Sequence, residues 1–311
     1  MCVGLLRTLL THFGTKRIKD IKPADIERFK QARLDTPVII KTRNKDKTFS
    51  TINRQRAIAS VNRELTLFRT ILNDAVYNGW ITRSPFSNVK GLVSSADETK
   101  RERVLTFDEE RRLLQVCAED MTVKYTWRGR ELTSRIKNKR EHLRPLLITA
   151  LDTALRRGEL FKLVWKDVNF AERTINILAM NTKTATARTV GMTERVYAEL
   201  TRLWEQSPKD LAELVFGIKD TIKRSFASAC RDAGIEGFRF HDCRHTAITR
   251  MIQAGLSPME VMKISGHTQM NTFARYVNPN TQAVQRIADV LSAYHANENM
   301  REAKDESQFI N

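Results

Sequence analysis

The chain has 311 residues, and its 53 Lys and Arg against 36 Asp and Glu give a net charge of +17 and a pI near 10.0. This length suffices for two domains, each with its own core. Such a charge attracts polyanions, among them nucleic acid and anionic membrane surfaces. Apolar runs such as 146–150 fall far short of the roughly 20 residues that a spanning helix needs, so nucleic acid is the better candidate partner.

Residues 1–90 predict helices only, as expected for a helical domain. Pro23 suits a first-turn position, and Ser50 is a candidate N-cap for a long helix with apolar residues at steps of three and four between 58 and 75. The opposite face is expected to be basic, and it suits either plain solvation or phosphate contacts along a duplex. Its candidate DNA-binding residues are Arg54, Arg56, Arg63 and Arg69.

Residues 91–102 are small, polar and charged without periodicity, which predicts a linker. A second domain is expected from residue 103, with Thr106 capping its first helix. Residues 124–144 follow, with many cations around two aromatic residues. This pattern fits either a mobile surface loop or a DNA-contacting segment that stacks and binds phosphate. The candidate contacts there are Lys124, Arg128 and Arg130.

The period then changes to that of strands. Three short runs rich in β-branched residues, 168–170, 174–178 and 188–192, predict a small antiparallel sheet. Helices are expected again at 194–204, 220–233, 241–254, 258–264, 271–277 and 281–296. The last helix carries an apolar stripe that suits either a neighbouring subunit or its own domain.

Six residues in this second region together fit a site that cleaves a phosphodiester. Such cleavage needs a nucleophile, neutralisation of charge on the phosphorane and a proton for the leaving 5′ oxygen. A tyrosine can attack, arginine forks match two phosphate oxygens, and a lysine can act as general acid. Glu159, one helical turn from the first arginine, is expected to support it. The six candidates are Arg156, Lys183, His241, Arg244, His267 and Tyr276.

Taken singly, each residue also has an ordinary explanation. A tyrosine at helical spacing is usually a core residue, and paired arginines often lie on the surface. His241 and His245 are four residues apart, as in zinc proteases, but the Glu of that motif and an evident third ligand are missing. The four cysteines show no metal-ligand spacing. We therefore expect no metal and no cofactor, and a location in a reducing cytoplasm.

Taken together and in order, these motifs resemble the tyrosine recombinase, or phage integrase, family. TALRRGEL, NTKTATARTV, HDCRHT and SGHT followed by Tyr276 are similar to the family's motifs, strongly over 103–280 and more weakly over 1–90. The resemblance implies a mostly α fold with a small antiparallel β-sheet, built from a helical core-binding domain (1–90), a linker (91–102), an α+β catalytic domain (103–280) and a C-terminal helix and tail (281–311).

The chain departs from the family pattern at several positions without losing a reacting group. Where the family usually has Gly, Leu, Pro and Leu, the sequence has Ala154, Cys243, Gly191 and Ser265. These departures bear on stability or precision more than on chemistry. Many relatives carry a small arm-binding domain ahead of the core-binding domain, and nothing in this sequence corresponds to it.

The resemblance implies site-specific recombination through a 3′-phosphotyrosyl link, without ATP, on double-stranded DNA in a bacterial cell. It also implies a homo-oligomer on DNA, a tetramer in the synapse. Accessory proteins that bend the DNA or set the direction of recombination are further possible partners. Two alternatives remain at this point. A type IB topoisomerase uses similar chemistry on one strand, and an inactive relative would bind DNA without cutting it.

Overall fold

The computed structural model describes residues 2–43, 48–88, 91–93, 98, 101–118, 120–128, 130–136, 140–182, 186–277, 288–294 and 296. The chain divides into two compact units, Met1–Arg101 and Glu102–Asn311. The fold class is the expected one, mostly α-helical with small antiparallel sheets. Among the described helices, none combines the length and the apolar character that a membrane span needs.

The N-terminal unit is built on three helices, α1 (Cys2–Phe13), α2 (Pro23–Asp35) and α3 (Ile58–Tyr77). Pro23 begins α2, as predicted. The apolar faces meet in a core in which the rings of Phe13 and Phe68 stack with centroids 4.5 Å apart. The other large members of this core are Leu9, Ile26, Phe29, Leu65 and Leu72.

The prediction of helices alone for residues 1–90 is wrong at one segment. Strands β1 (Val38–Arg43) and β2 (Phe49–Arg54) form an antiparallel hairpin in which Ile40 lies opposite Ile52. β-branched residues are frequent in this stretch, and they favour extended backbone over helix. None of the described hairpin residues belongs to the core of the unit.

This hairpin also corrects the predicted basic face. Ser50 lies in β2, so it does not cap α3, whose N-cap is Ala57. Arg54 is an exposed residue at the end of β2, and Arg56 lies between hairpin and helix, where its Nε donates to the Thr36 carbonyl at 3.3 Å. Only the exposed Arg63 and Arg69 lie on α3.

The second unit begins with α4 (Phe107–Ala118), and Thr106 caps it as predicted. The Thr106 Oγ1 accepts from the Glu109 N–H at 3.1 Å, and the Glu109 carboxylate accepts from the Thr106 N–H at 3.0 Å. A second hairpin follows, with strands β3 (Met121–Trp127) and β4 (Arg130–Ile136).

The hairpin covers much of 124–144, for which the sequence allowed either a mobile surface loop or a DNA-contacting segment and predicted no strands. Lys124 lies in β3 opposite Thr133, and Arg128 takes a left-handed φ of 51° at the turn. Arg130 begins β4 and is exposed. The β-branched and aromatic residues among the charges favour strands, a signal that the charge density of the segment hid.

The rest of the unit packs around a buried helix, α5 (Leu143–Thr153), of which nine residues are buried. It is followed by α6 (Arg157–Lys162) and by the predicted three-stranded antiparallel sheet. The strands are β5 (Val168–Asn169), β6 (Thr174–Ile177) and β7 (Arg188–Gly191), in the order β5-β6-β7. Ile175, Ile177 and Val190 of this sheet lie in the core.

Five helices follow between residues 194 and 273: α7 (Glu194–Gln206), α8 (Lys223–Asp232), α9 (Phe240–Gln253), α10 (Pro258–Ser265) and α11 (Met270–Phe273). A single 3-10 turn, Ala274–Tyr276, extends α11. The first four agree with the predicted helices to within about three residues. Residues 288–294 are helical with Leu291 and Tyr294 exposed, while the rest of the predicted stripe, Val284 and Ile287, lies outside the described residues.

Candidate active site

Arg156 is the N-cap residue of α6, and the helix itself supplies its partner. Glu159, at the third helical position, accepts from the Arg156 backbone N–H at 2.8 Å through Oε2 and from Arg156 Nη1 at 3.0 Å through Oε1. The Glu159 side chain is 1% exposed. The expected support of Arg156 by Glu159 is therefore a direct contact.

Glu159 holds a second arginine, which the sequence analysis did not identify as a site residue. Arg188, the first residue of β7, donates from Nη1 to Oε1 at 3.1 Å and from Nη2 to Oε2 at 2.6 Å. Burial alone would raise the pKa of Glu159, but hydrogen bonds from Arg188 and from the Arg156 backbone outweigh it and lower the pKa below its usual value.

Both arginines also bind the turn that ends α10. Arg156 Nη2 donates to the Gly266 carbonyl at 2.8 Å, and Arg188 Nε donates to the Ile264 carbonyl at 2.7 Å. Gly266 has φ of 69°, and a Cβ there would lie 3.1 Å from the Arg188 Cζ. A glycine is thus required both by the left-handed backbone and by the space the guanidinium occupies.

Arg244 reaches the same place from the buried face of α9. Its Nη1 donates to the Ala154 carbonyl at 2.7 Å, and its Nη2 lies 3.4 Å from both ring nitrogens of His267. Ala154 ends α5 with φ of 55°, which explains why glycine is usual there in the family that this sequence resembles. The departure strains the backbone but leaves the carbonyl that positions Arg244.

His267 follows Gly266 and is oriented by Ser265. Its Nδ1 lies 2.8 Å from Ser265 Oγ, and that hydroxyl donates to the Val261 carbonyl at 2.6 Å. Since the hydroxyl has one hydrogen, neutral His267 carries its proton on Nδ1 and leaves Nε2 as an acceptor. Burial, then the charges of Arg244, Arg156 and Arg188, lower the pKa of His267 to about 4.

Tyr276 ends the 3-10 turn after α11, half-buried against an apolar cluster that includes Phe273. Its ring centroid lies 6.0 Å from that of His267 and 4.9 Å from that of His245. Burial raises the pKa of Tyr276, and the cations Arg275 and Arg244 oppose that rise. His245 is thus the histidine ring nearer to the tyrosine, although the sequence analysis considered it only as a metal ligand.

His241 lies one helical turn before Arg244 in the first turn of α9, where it is more exposed than the buried Phe240 and Asp242 on either side of it. Partial burial, then the positive charge of Arg244, lowers its pKa. Lys183 lies outside the described residues, on the connection between β6 and β7. The structure therefore brings Arg156, Arg244, His267 and Tyr276 together, with His241 beside them.

The electrostatics of the cluster are unbalanced. Arg156 and Arg188 share one carboxylate, and Arg244 contacts none within the described part of the chain. Burial, and then repulsion by Arg156, lowers the pKa of Arg244 to about 9. A half-buried site with uncompensated guanidinium groups attracts an anion, and their planar forks suit the oxygens of a phosphate. No group of three His, Cys, Asp or Glu suited to a metal ion occurs among the described residues.

Comparison with known proteins gives this arrangement a context. The model of the Phage integrase family matches residues 103–283, more than half of the chain and all the residues of the cluster. The Shufflon-specific DNA recombinase of Escherichia coli is 30% identical over 223 residues, which cover 70% of this chain and 50% of the relative. The chain thus spans half the length of that relative.

Solved structures agree at the level of the fold. The integrase of transposon Tn1549 in complex with transposon right end DNA matches with a TM-score of 0.68 and 18% identity, covering 94% of this chain and 92% of that one. The lambda integrase tetramer bound to a Holliday junction matches with a TM-score of 0.58 and 16% identity, covering 86% and 70%.

Proposed function

The chain belongs to the phage integrase family, and from this premise we propose that it is a site-specific tyrosine recombinase that cleaves and rejoins DNA through Tyr276. The observation that carries the proposal is the cluster itself. Of three buried or half-buried arginines, two share a single carboxylate, and the third contacts none within the described residues but lies beside a histidine whose ring is close to a tyrosine. This is the charge pattern of a site for a phosphodiester.

In the proposed reaction, the Tyr276 oxygen bonds to phosphorus as the bond between phosphorus and the 5′ oxygen breaks. Arg156 and Arg244 bind the non-bridging oxygens, on which negative charge grows in the transition state. The proton that leaves the phenol passes to a nearby base. The departing 5′ oxygen receives a proton, for which the family resemblance assigns Lys183. A 5′ hydroxyl then attacks the phosphotyrosyl bond and restores Tyr276.

The titrating groups of the cluster fit this sequence of events. The raised pKa of Tyr276 keeps the phenol protonated in the free protein. His267 is neutral near pH 7, since its pKa is about 4. An incoming phosphate brings negative charge, which raises the pKa of a neighbouring histidine. In that state His267 Nε2 gains the proton with which it donates a hydrogen bond to a phosphate oxygen.

The proposal extends to partners. Double-stranded DNA is the substrate, in keeping with the net charge of +17. The lambda relative is a tetramer on a Holliday junction, and we propose the same assembly for this protein during strand exchange, in the cytoplasm of a bacterial cell. Accessory proteins for bending or direction fit this scheme. The proposed DNA contacts are Arg54, Arg56, Arg63 and Arg69, and Lys124, Arg128 and Arg130 on hairpin β3–β4.

Trapping of covalent adducts tests the proposal. Wild-type protein, Tyr276→Phe and Tyr197→Phe are incubated with fragments of the source genome around the gene, quenched with SDS and analysed for DNA that stays attached. Tyr197 is a matched control, because it is a half-buried tyrosine in ring contact with Phe170. We expect adducts at one short inverted repeat with wild type and Tyr197→Phe, and none with Tyr276→Phe.

Two other outcomes would indicate a different function for this protein. Adducts on any plasmid, with relaxation of supercoils and no target site, would indicate a topoisomerase. Equal binding of a footprinted site by wild type and Tyr276→Phe, with no adduct even on nicked DNA, would indicate a DNA-binding relative that does not cut.

A further inference from the structure

We propose that Arg188 is a positioning residue of the active site, which keeps the Arg156 guanidinium available to the DNA phosphate. The inference rests on the proposed function. Its basis is that Arg188 makes three hydrogen bonds to the two segments that hold Arg156 and His267, and that its own side chain is 8% exposed.

The Glu159 carboxylate accepts hydrogen bonds from both arginines. Arg188 occupies both oxygens, while Arg156 contributes one guanidinium N–H and its backbone N–H. A carboxylate accepts about four hydrogen bonds, so Glu159 is saturated. An isolated Arg–Glu pair favours bidentate hydrogen bonding. Arg188 forms the bidentate pair with Glu159, and the Arg156 guanidinium donates a single hydrogen bond to it.

Arg156 uses only some of its hydrogen-bond donors on the protein. A guanidinium has five N–H groups. Within the described part of the chain, one is used on Glu159 and one on the Gly266 carbonyl. Three therefore stay available for phosphate oxygens. Without Arg188, both Glu159 oxygens could accept from the Arg156 guanidinium in a bidentate pair. That pairing would turn the guanidinium away from the phosphate.

Arg188 links strand β7 to helices α6 and α10. Arg188 begins β7, directly after the connection that carries Lys183. Its guanidinium binds the start of α6 through Glu159 and the end of α10 through the Ile264 carbonyl. The same guanidinium fills the space beside Gly266, the residue before His267. One side chain thereby joins the segments of three proposed site residues.

The test measures single-turnover adduct formation on a nicked substrate, on which the cleaved strand cannot be religated. We expect Arg188→Gln to slow adduct formation about 100-fold, the effect of displacing a reacting group by about 1 Å, with unchanged DNA affinity. Arg188→Lys keeps a positive charge beside Glu159 but lacks the planar guanidinium fork. We therefore expect its rate of adduct formation to lie between those of Arg188→Gln and wild type.

Arg250→Gln is the matched control. Arg250 is also a mostly buried arginine that donates to a buried carboxylate, Glu110, and to a backbone carbonyl, that of Leu105 at 3.0 Å. It should lower stability comparably and leave the rate of the folded protein unchanged. A merely structural role for Arg188 would make the two variants behave alike, which would overturn the proposal.

A second measurement separates positioning from an independent role. If Arg188 acts through Arg156, then Arg188→Gln should slow an Arg156→Ala protein by less than about threefold. Full multiplication of the two effects would contradict the proposal. Should Arg188→Gln not fold, the same cycle is run with Arg188→Lys. A wild type that forms no adduct would refute the proposed function itself, before any Arg188 variant is compared.

Discussion

Two buried glutamates of the second unit, Glu110 and Glu159, are each held by two arginines. Arg195 and Arg250 bind Glu110, and Arg195 also binds Asp152 through Nε at 2.7 Å. The two cations therefore meet two carboxylates, and the contacting charges sum to zero. Hydrogen bonds, first with Asp152, raise the pKa of Arg195, as expected where a cation is well satisfied.

At Glu159 the sum is different. Arg156 and Arg188 share the carboxylate and Arg244 lies beside them, so three positive charges meet one negative charge, a sum of +2. Here the pKa of an arginine is lowered, not raised. The contacts of the Glu110 cluster balance without a ligand, whereas the Glu159 cluster has a surplus of positive charge that suits an anion. This contrast supports the proposal that the Glu159 cluster is the DNA phosphate site and that the Glu110 cluster is structural.

The largest effect should come from Arg244→Lys. The lysine keeps the positive charge but lacks the planar fork that matches two phosphate oxygens. We expect adduct formation to fall 100- to 1,000-fold, by about 3–4 kcal/mol in the activation free energy. Arg250→Lys, on the same helix but bound to Glu110, should leave the rate within about threefold of wild type. Equal losses in the two variants would remove the distinction between the clusters.

Neutralising each glutamate in turn sharpens the comparison. Glu159→Gln removes the carboxylate that Arg156 and Arg188 share. Glu110→Gln removes the carboxylate that the mostly buried Arg250 contacts, while Arg195 keeps Asp152. Each change should cost about 3 kcal/mol of folding stability. Their effects on cleavage should differ. Glu159→Gln removes the group that holds Arg156, so we expect a rate loss of about 100-fold, while Glu110→Gln should leave the rate of the folded protein unchanged. Urea unfolding and single-turnover cleavage measure the two quantities.

A smaller effect should appear in the pH dependence of stability. The pKa of His267 is about 4 in the folded protein, against 6.5 as its ordinary value. Between these values the unfolded chain binds a proton that the folded protein does not. The free energy of unfolding is therefore not reduced by His267 above pH 6.5, and it falls as the pH is lowered toward 4. The loss is at most about 3 kcal/mol, and solvent screening makes it smaller.

The measurement for that prediction is urea unfolding at several pH values between 7.5 and 4. His267→Gln has no titrating ring at this position, so its stability should fall less over the same range than that of wild type. Parallel curves for the two proteins would contradict the lowered pKa of His267, whether burial or the neighbouring cations cause it.

The same two clusters show how far sequence reasoning extends. Arg156, Arg244, His267 and Tyr276 were identified as candidates because their motifs, taken together and in order, resemble those of the tyrosine recombinase family. Arg188 was missed because a lone arginine on a strand gives no local signal. Its partner Glu159 is 29 residues away, and the contact exists only once β7 lies against α6.

The fold divides in the same way. The period of three to four residues predicted α3, although the predicted cap, Ser50, lies in β2 and the helix begins at Ile58, and β-branched runs predicted the β5–β7 sheet. Both hairpins were missed because the cations in and around the strands were weighed above the β-branched and aromatic residues of the strands themselves, and charge gives no information on backbone conformation. Register between paired strands, such as Ile40 opposite Ile52, depends on contacts across the hairpin and not on either strand alone.

The most direct measurement of the central claim is the identity of the residue bonded to DNA. Trapped adducts are digested with nuclease and trypsin, and the modified peptide is sequenced by mass spectrometry. The account predicts a nucleotide on Tyr276, within the tryptic peptide 276–286. A nucleotide on any other side chain would contradict it, because the cation surplus around Glu159 would then serve a different nucleophile or none.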